Sequence, residues 1–164
     1  MGMTYNADEV LAMAEEIERN GRAFYLRAAE IAKDGDAHKL LADLAEWEKG
    51  HEELFASMRA SLSDEARAAD IFDADQNAEM YLQSAADTHV FNVHKDPTEV
   101  LTGTETPVEI LEKALSFERD SILFFVGMTK AVPERLGVDK VNRIVDEEMS
   151  HVAYLNKEIR KLKG

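Results

Sequence analysis

The chain has 164 residues with 33 acidic and 19 basic side chains, no cysteine and a formal net charge of -14 at pH 7. The length fits a single domain, residues 1–164, with an adequate core. The missing cysteines exclude disulfides, thiolate metal sites and thiol catalysis, and they agree with a cytoplasmic location. The charge argues against nucleic acid as a partner, and no apolar run is long enough to cross a membrane.

Four long helices are predicted, in an all-α arrangement. The first runs from about Ala7 to Lys33, because Asn6 and Glu9 form a capping-box pattern before an apolar stripe at helical spacing. Asp34-Gly35-Asp36 is expected to end it. The second continues to about Ser61, and its predicted inward stripe is Leu40, Leu44, Trp47, Leu54, Phe55 and Met58.

A long connection follows, from Leu62 to Glu105, with a shorter helix predicted near residues 76–88. The third long helix starts at Thr106-Pro107-Val108-Glu109, which combines an N-cap, a proline at the first helical position and a reciprocal glutamate. It ends near Lys130, Pro133 and Gly137 indicate a turn, and the fourth helix covers about Asp139–Lys163. Two helical hairpins joined by a long crossover give a ferritin-like four-helix bundle.

A glutamate followed three residues later by a histidine occurs twice, at Glu48/His51 and Glu148/His151. A further glutamate stands thirty residues before each motif, at Glu18 and Glu118, so that all three positions repeat with an offset of 100. Within each predicted hairpin the two glutamates are equidistant from the turn, roughly 22 Å away along each helix, and therefore lie level. The spacing of three puts Glu and His on one helix face.

These side chains fall within apolar stripes, where a cluster of carboxylates is costly unless cations compensate its charge. We therefore predict six ligands for two metal ions: Glu18, Glu48, His51, Glu118, Glu148 and His151. Mixed carboxylate and imidazole ligation suits iron, which we expect, or manganese, and zinc would also bind. The usual division would make Glu48 and Glu148 the bridging ligands. His38, His89 and His94 lack this setting and receive no role.

The sequence resembles the rubrerythrin branch of the ferritin-like superfamily, in its short stand-alone form. The resemblance covers the four long helices and depends on Glu18…Phe24-Tyr25, Glu48-Lys49-Gly50-His51, Glu118…Phe124-Phe125 and Glu148-Met149-Ser150-His151. It implies a di-iron protein that reacts with hydrogen peroxide or oxygen in defence against oxidative stress. It also implies a role for Tyr25 near the site, as a hydrogen-bond donor or an electron relay, and a homodimer.

The sequence departs from that family in two respects. Rubrerythrins carry an additional iron centre held by four cysteines, so this chain would need an external electron donor. They also place another Glu three residues after the third-helix ligand, where this chain has Ser121, so the resemblance does not extend to their ligand switching. Two other functions stay open: ferrous iron oxidation or handling without peroxidase turnover, and a bundle whose metal is structural. Tyr25 could also be a core aromatic, and we interpret Trp47 as a packing residue.

Overall fold

A computed structural model describes residues 6–33, 35–64, 67, 97–131 and 137–164 of the chain. Within them lie four long α-helices and one short 3-10 helix, Pro97–Val100. The long helices are α1 (Ala7–Ala32), α2 (Gly35–Ala60), α3 (Pro107–Ala131) and α4 (Val138–Lys163). This confirms the predicted all-α four-helix architecture. The helix predicted near residues 76–88, together with His89, His94 and Pro133, lies outside the described residues.

Both predicted capping boxes are present, which explains why α1 and α3 begin where the sequence indicates. Asn6 accepts from the Glu9 amide at 2.9 Å, and the Glu9 carboxylate accepts from the Asn6 amide at 2.9 Å. At α3, the Thr106 amide donates to Glu109 at 2.8 Å, and the Glu109 amide donates to the Thr106 hydroxyl at 3.3 Å. These contacts satisfy amides that a helix leaves unpaired in its first turn.

The break between α1 and α2 is narrower than the predicted Asp34-Gly35-Asp36 segment. Lys33 closes α1 with a positive φ of 61° and donates its amide to Ala29, while Gly35, at φ 90°, is already the first residue of α2. Glycine adopts that conformation without steric cost, so α2 can restart at once. His38 adds a link across this turn, since its Nδ1 lies 2.8 Å from the Ala29 carbonyl oxygen.

The helices pack as two hairpins, with α1 along α2 and α3 along α4, and further contacts join α1 to α3 and α2 to α4. Aromatic pairs link the hairpins: Phe24 meets Phe117 edge-on with centroids 4.3 Å apart, and Phe55 stacks with Phe125 at 5.3 Å. Each such buried side chain contributes roughly 1.5–3 kcal/mol. No described helix combines the length and the apolar character that a bilayer crossing requires.

Candidate metal centre

The six predicted ligands all lie in the core, midway along the four helices. Glu18 and Glu148 are 1% exposed, Glu118 is 2% exposed, and the two histidines are no more than 5% exposed. Carboxylates are almost never buried to this degree without a charged partner or a metal. The offset of 100 therefore identified a cluster and not a solvated face.

The side chains form two overlapping groups. Glu18, Glu48, His51 and Glu148 place one potential ligand atom each within 4.8 Å of the others, and so do Glu48, Glu118, Glu148 and His151. Glu48 and Glu148 belong to both groups. Each group thus consists of one Glu–His pair of its own and the two shared carboxylates.

Both histidines direct Nδ1 into the cluster. His51 Nδ1 lies 2.9 Å from Glu148 Oε1 and 3.4 Å from Glu18 Oε2. His151 Nδ1 lies 3.0 Å from Glu148 Oε2 and 3.5 Å from Glu118 Oε2. The two rings are nearly parallel, with centroids 5.8 Å apart and planes inclined by 18°. Glu148 therefore faces both imidazoles.

Several buried ligand atoms have no hydrogen-bond partner of acceptable geometry. They are both carboxylate oxygens of Glu18, Glu148 Oε1 and His51 Nδ1. An unsatisfied buried polar atom costs about 1–3 kcal/mol, and more when charged. Metal ions coordinated through these lone pairs would remove that cost, so the residues present fit a dinuclear site.

The pKa values of the carboxyls reflect their crowding without a cation. Burial, reinforced by the neighbouring carboxylates, raises the pKa of Glu18 and Glu48 well above the ordinary range. Burial and the nearby Glu148 raise the pKa of Glu118 to about 8. Burial opposes ionisation of Glu148 too, but the adjacent Glu118 and the two histidine rings, 2.9 and 3.0 Å away, lower its pKa below the ordinary range.

The pKa values of the two histidines are raised, because carboxylates surround both rings. Burial disfavours the charged imidazole of His51, yet the Glu148 carboxylate overcomes it and raises the pKa to about 9. His151 likewise loses solvation, but Glu118 and Glu148 raise its pKa to about 10. Without metal, protons therefore take the place of cations in neutralising the cluster.

Comparison with known proteins supports the architecture. No protein-family model matches the chain, and no curated protein does. A solved structure with 20% sequence identity superposes over 98% of both chains with a TM-score of 0.70. It is that of a proposed ferritin-like diiron-carboxylate protein from Thermotoga maritima. The fold is ferritin-like. At this identity the likeness establishes the fold alone, because one fold can carry many different chemistries.

Tyr25 extends the cluster of the ferritin-like bundle by one hydrogen bond. Its ring is 1% exposed, and its hydroxyl donates to Glu118 Oε1 in a buried contact. Burial and the adjacent Glu118 charge raise the pKa of the phenol well above its ordinary value, so it retains its proton. The structure thus brings Tyr25 to the predicted ligands; its catalytic role stays a prediction.

Two further residues contact the ligand histidines from outside the cluster. The carboxylate of Glu147 lies 3.0 Å from His51 Nε2. The indole of Trp47 stacks on His151, with centroids 4.8 Å apart and planes inclined by only 9°. Trp47, Glu147, Ser150, His151 and Tyr154 line a recess of about 210 Å³ between α2 and α4.

The placement of Trp47 in the inward stripe of α2 was therefore wrong, although the indole does pack, against His151. Its side chain is 40% exposed, and it stacks on the His151 ring rather than filling the core. Leu40 and Leu54, in the same predicted stripe, are only partly buried. One signal could have identified the role: Trp47 and Glu147 occupy equivalent positions, each directly before a motif glutamate.

Gly21 and Ser121 are another pair related by the offset of 100, and both are small residues. A Cβ atom at Gly21 would lie 3.3 Å from Glu48 Oε2, so glycine makes room for this shared carboxylate. Ser121, which stands where rubrerythrins have an additional glutamate, is 7% exposed.

Proposed function

We propose that this chain binds two metal ions, iron in the cell, and carries out redox chemistry on hydrogen peroxide or oxygen. One observation carries the proposal: two buried ligand groups that share Glu48 and Glu148. Two divalent cations would neutralise the four carboxylates, and the unpartnered oxygens of Glu18 would gain a partner. The likeness to the Thermotoga maritima protein, described as a diiron-carboxylate protein, agrees with this assignment.

In this proposal Glu18 and His51 would hold one ion, and Glu118 and His151 would hold the other. Glu48 and Glu148 would be shared by both ions. A pair of iron ions held in this way would supply electrons to an oxidant, and an external donor would restore them.

The surrounding residues have definable tasks in this chemistry. The buried aromatic residues Phe24, Phe55 and Phe125 help to exclude bulk water from the centre. Tyr25 keeps a proton on its hydroxyl at the Glu118 carboxylate, which makes it the nearest neutral donor to a terminal ligand. Glu147 orients the imidazole of His51 through Nε2.

Anaerobic titration of the metal-free protein with Fe²⁺ tests the proposal. We expect about two ions per chain, because the cluster provides two complete ligand groups, and oxidation of both by added hydrogen peroxide, followed by absorbance. Glu18→Ala and Glu118→Ala should each lower the stoichiometry. The exposed Glu46→Ala, on α2, is the control and should retain both ions. Binding of two ions by a variant that lacks both Glu18 and Glu118 would contradict the assignment.

A second candidate function is ferrous iron oxidation without peroxidase turnover. It is favoured by Ser121, because the position offers no further carboxylate to a redox-dependent change of ligands. Steady-state peroxide consumption with an added reductant separates the two: turnover supports the first function, and a single oxidation of two ions supports the second. Zinc bound on purification, with loss of folding on chelation, would indicate a structural metal instead. The homodimer also stays a prediction, which sedimentation analysis can check.

A further inference from the structure

The two halves of the site have identical ligands but different neighbours. With the offset of 100, Glu18 corresponds to Glu118 and His51 to His151. The outer residues do not match, because Tyr25 corresponds to Phe125 and Trp47 to Glu147. These two mismatched pairs contact the histidines and the terminal glutamates directly, so they can make the two ions differ.

The first mismatch concerns the histidines. With Nδ1 of His51 directed at the cluster, Nε2 carries the proton and donates to Glu147 at 3.0 Å. A carboxylate that accepts this proton fixes the ring and makes the imidazole a stronger donor to a metal. His151 receives instead the flat face of Trp47, and an indole has no acceptor to offer. His51 is thus the stronger ligand of the two.

The second mismatch concerns the terminal glutamates. The Tyr25 hydroxyl donates to Glu118 and so withdraws electron density from a carboxylate that a metal needs. Phe125, the counterpart of Tyr25, has no hydroxyl to donate. Among the described residues, neither oxygen of Glu18 has a hydrogen-bond partner. Glu18 therefore gives up no electron density to a hydroxyl, so this second difference also favours tighter binding at the Glu18–His51 position.

We propose that the two metal positions are inequivalent, and that the Glu18–His51 position binds its cation more tightly and fills first. Glu147 and Trp47 are the positioning residues that set the difference, acting through His51 and His151. This inference depends on the proposed function, since it presumes that the six ligands bind two ions.

Zn²⁺ added to the full-length, metal-free protein tests the order of filling by calorimetry and by tryptophan emission. Trp47 is the sole tryptophan of the chain, and it touches His151 and not His51 through its ring. Zn²⁺ has no redox chemistry and a filled d shell, so a change in emission reports a change in what the indole contacts. We expect two binding steps that differ by about tenfold or more, with the emission change following the second.

Two substitutions locate the cause. Glu147→Gln should weaken the first step by about tenfold and leave the second unchanged, because it removes the carboxylate behind His51 only. Trp47→Glu places behind His151 the residue type found behind His51, and should strengthen the second step until the two merge. Trp47 is 40% exposed, so this change does not empty the core. Glu46→Gln, on the same helix and exposed, is the control for charge alone.

Two equal steps in the unaltered protein, or an emission change that follows the first ion, would overturn this inference and leave the proposed function intact. Equal weakening of both steps by Glu147→Gln and Glu46→Gln would also overturn it, because it would indicate a general charge effect. Failure to bind two ions at all would instead refute the proposed function.

Discussion

At the level of single residues, the centre depends on how each buried charge is compensated. Each terminal glutamate has a histidine at about the same distance, but Glu118 also accepts a hydrogen bond from the Tyr25 hydroxyl, whereas no hydroxyl of the described residues donates to Glu18. The two carboxylates have equivalent positions in the repeat and are both buried, yet they differ in their hydrogen-bond donors. Substitutions at their neighbours should therefore have unequal effects.

Tyr25→Phe should destabilise the metal-free protein by about 1–3 kcal/mol, because the variant leaves Glu118 Oε1 buried without its donor. The shape of the ring is kept, so the effect reports the hydroxyl. Urea unfolding measures it. Tyr154→Phe is the matched control: this side chain is 49% exposed, and its change should stay within about 0.5 kcal/mol. Equal stabilities of the two variants would show that the buried hydrogen bond contributes nothing.

Residue types and spacing alone were sufficient to predict the six clustered side chains, because the offset of 100 is visible in the sequence. Periodicity could not predict the role of Trp47. A large aromatic residue near an apolar stripe is usually buried, and only the position of His151 across the α2–α4 groove shows what the indole covers. Contacts between helices that are distant in sequence decide such cases.

At the level of the helices, all four ends and the starts of α1, α3 and α4 were predicted to within one residue, whereas the start of α2 was not. The capping boxes at Asn6 and Thr106 are local patterns in which each partner is three residues from the other, so sequence suffices to find them. The turn between α1 and α2 depends instead on Lys33 at positive φ, which a lysine rarely adopts and no sequence rule indicates. The predicted break was therefore too long.

Two glycines within helices offer a matched test of how closely α1 approaches the shared carboxylate of α2. Gly50→Ala meets no atom within 4 Å, so it should stabilise the protein by about 1 kcal/mol through helix propensity and leave Zn²⁺ binding unchanged. Gly21→Ala would set a methyl group 3.3 Å from Glu48 Oε2 and displace it. Because Glu48 serves both groups, both Zn²⁺ binding steps should weaken by about tenfold. Calorimetric titration of each variant with Zn²⁺ measures both affinities. Unchanged Zn²⁺ binding in Gly21→Ala would contradict the prediction that the added methyl group displaces Glu48.

At the level of the whole molecule, protonation and metal binding compete for one cluster. Folding raises the pKa of Glu118 to about 8, of His51 to about 9 and of His151 to about 10. The folded, metal-free protein thus holds more protons than the unfolded chain above the ordinary glutamate pKa of 4.5. Its stability should then fall as pH rises through these values.

Unfolding midpoints of the metal-free protein should therefore decrease steadily from about pH 5 to about pH 9. The lowered pKa of Glu148 acts oppositely, but only in more acidic solution. With saturating Zn²⁺ the trend should flatten or reverse, since metal binding requires deprotonated ligands and strengthens as pH rises. A metal-free protein that gains stability between pH 5 and pH 9 would contradict the raised pKa values of Glu118 and the two histidines.

The sharing of Glu48 and Glu148 has a consequence for how the chain is built. The α1–α2 hairpin supplies Glu18, Glu48 and His51, and its group is completed by Glu148 from the α3–α4 hairpin. In the same way, the group of the α3–α4 hairpin is completed by Glu48 from α2. Two identical hairpins related by a twofold axis would exchange residues in this reciprocal way. The connection between α2 and α3 turns that pairing into a single chain, in which each copy is free to acquire its own outer residues.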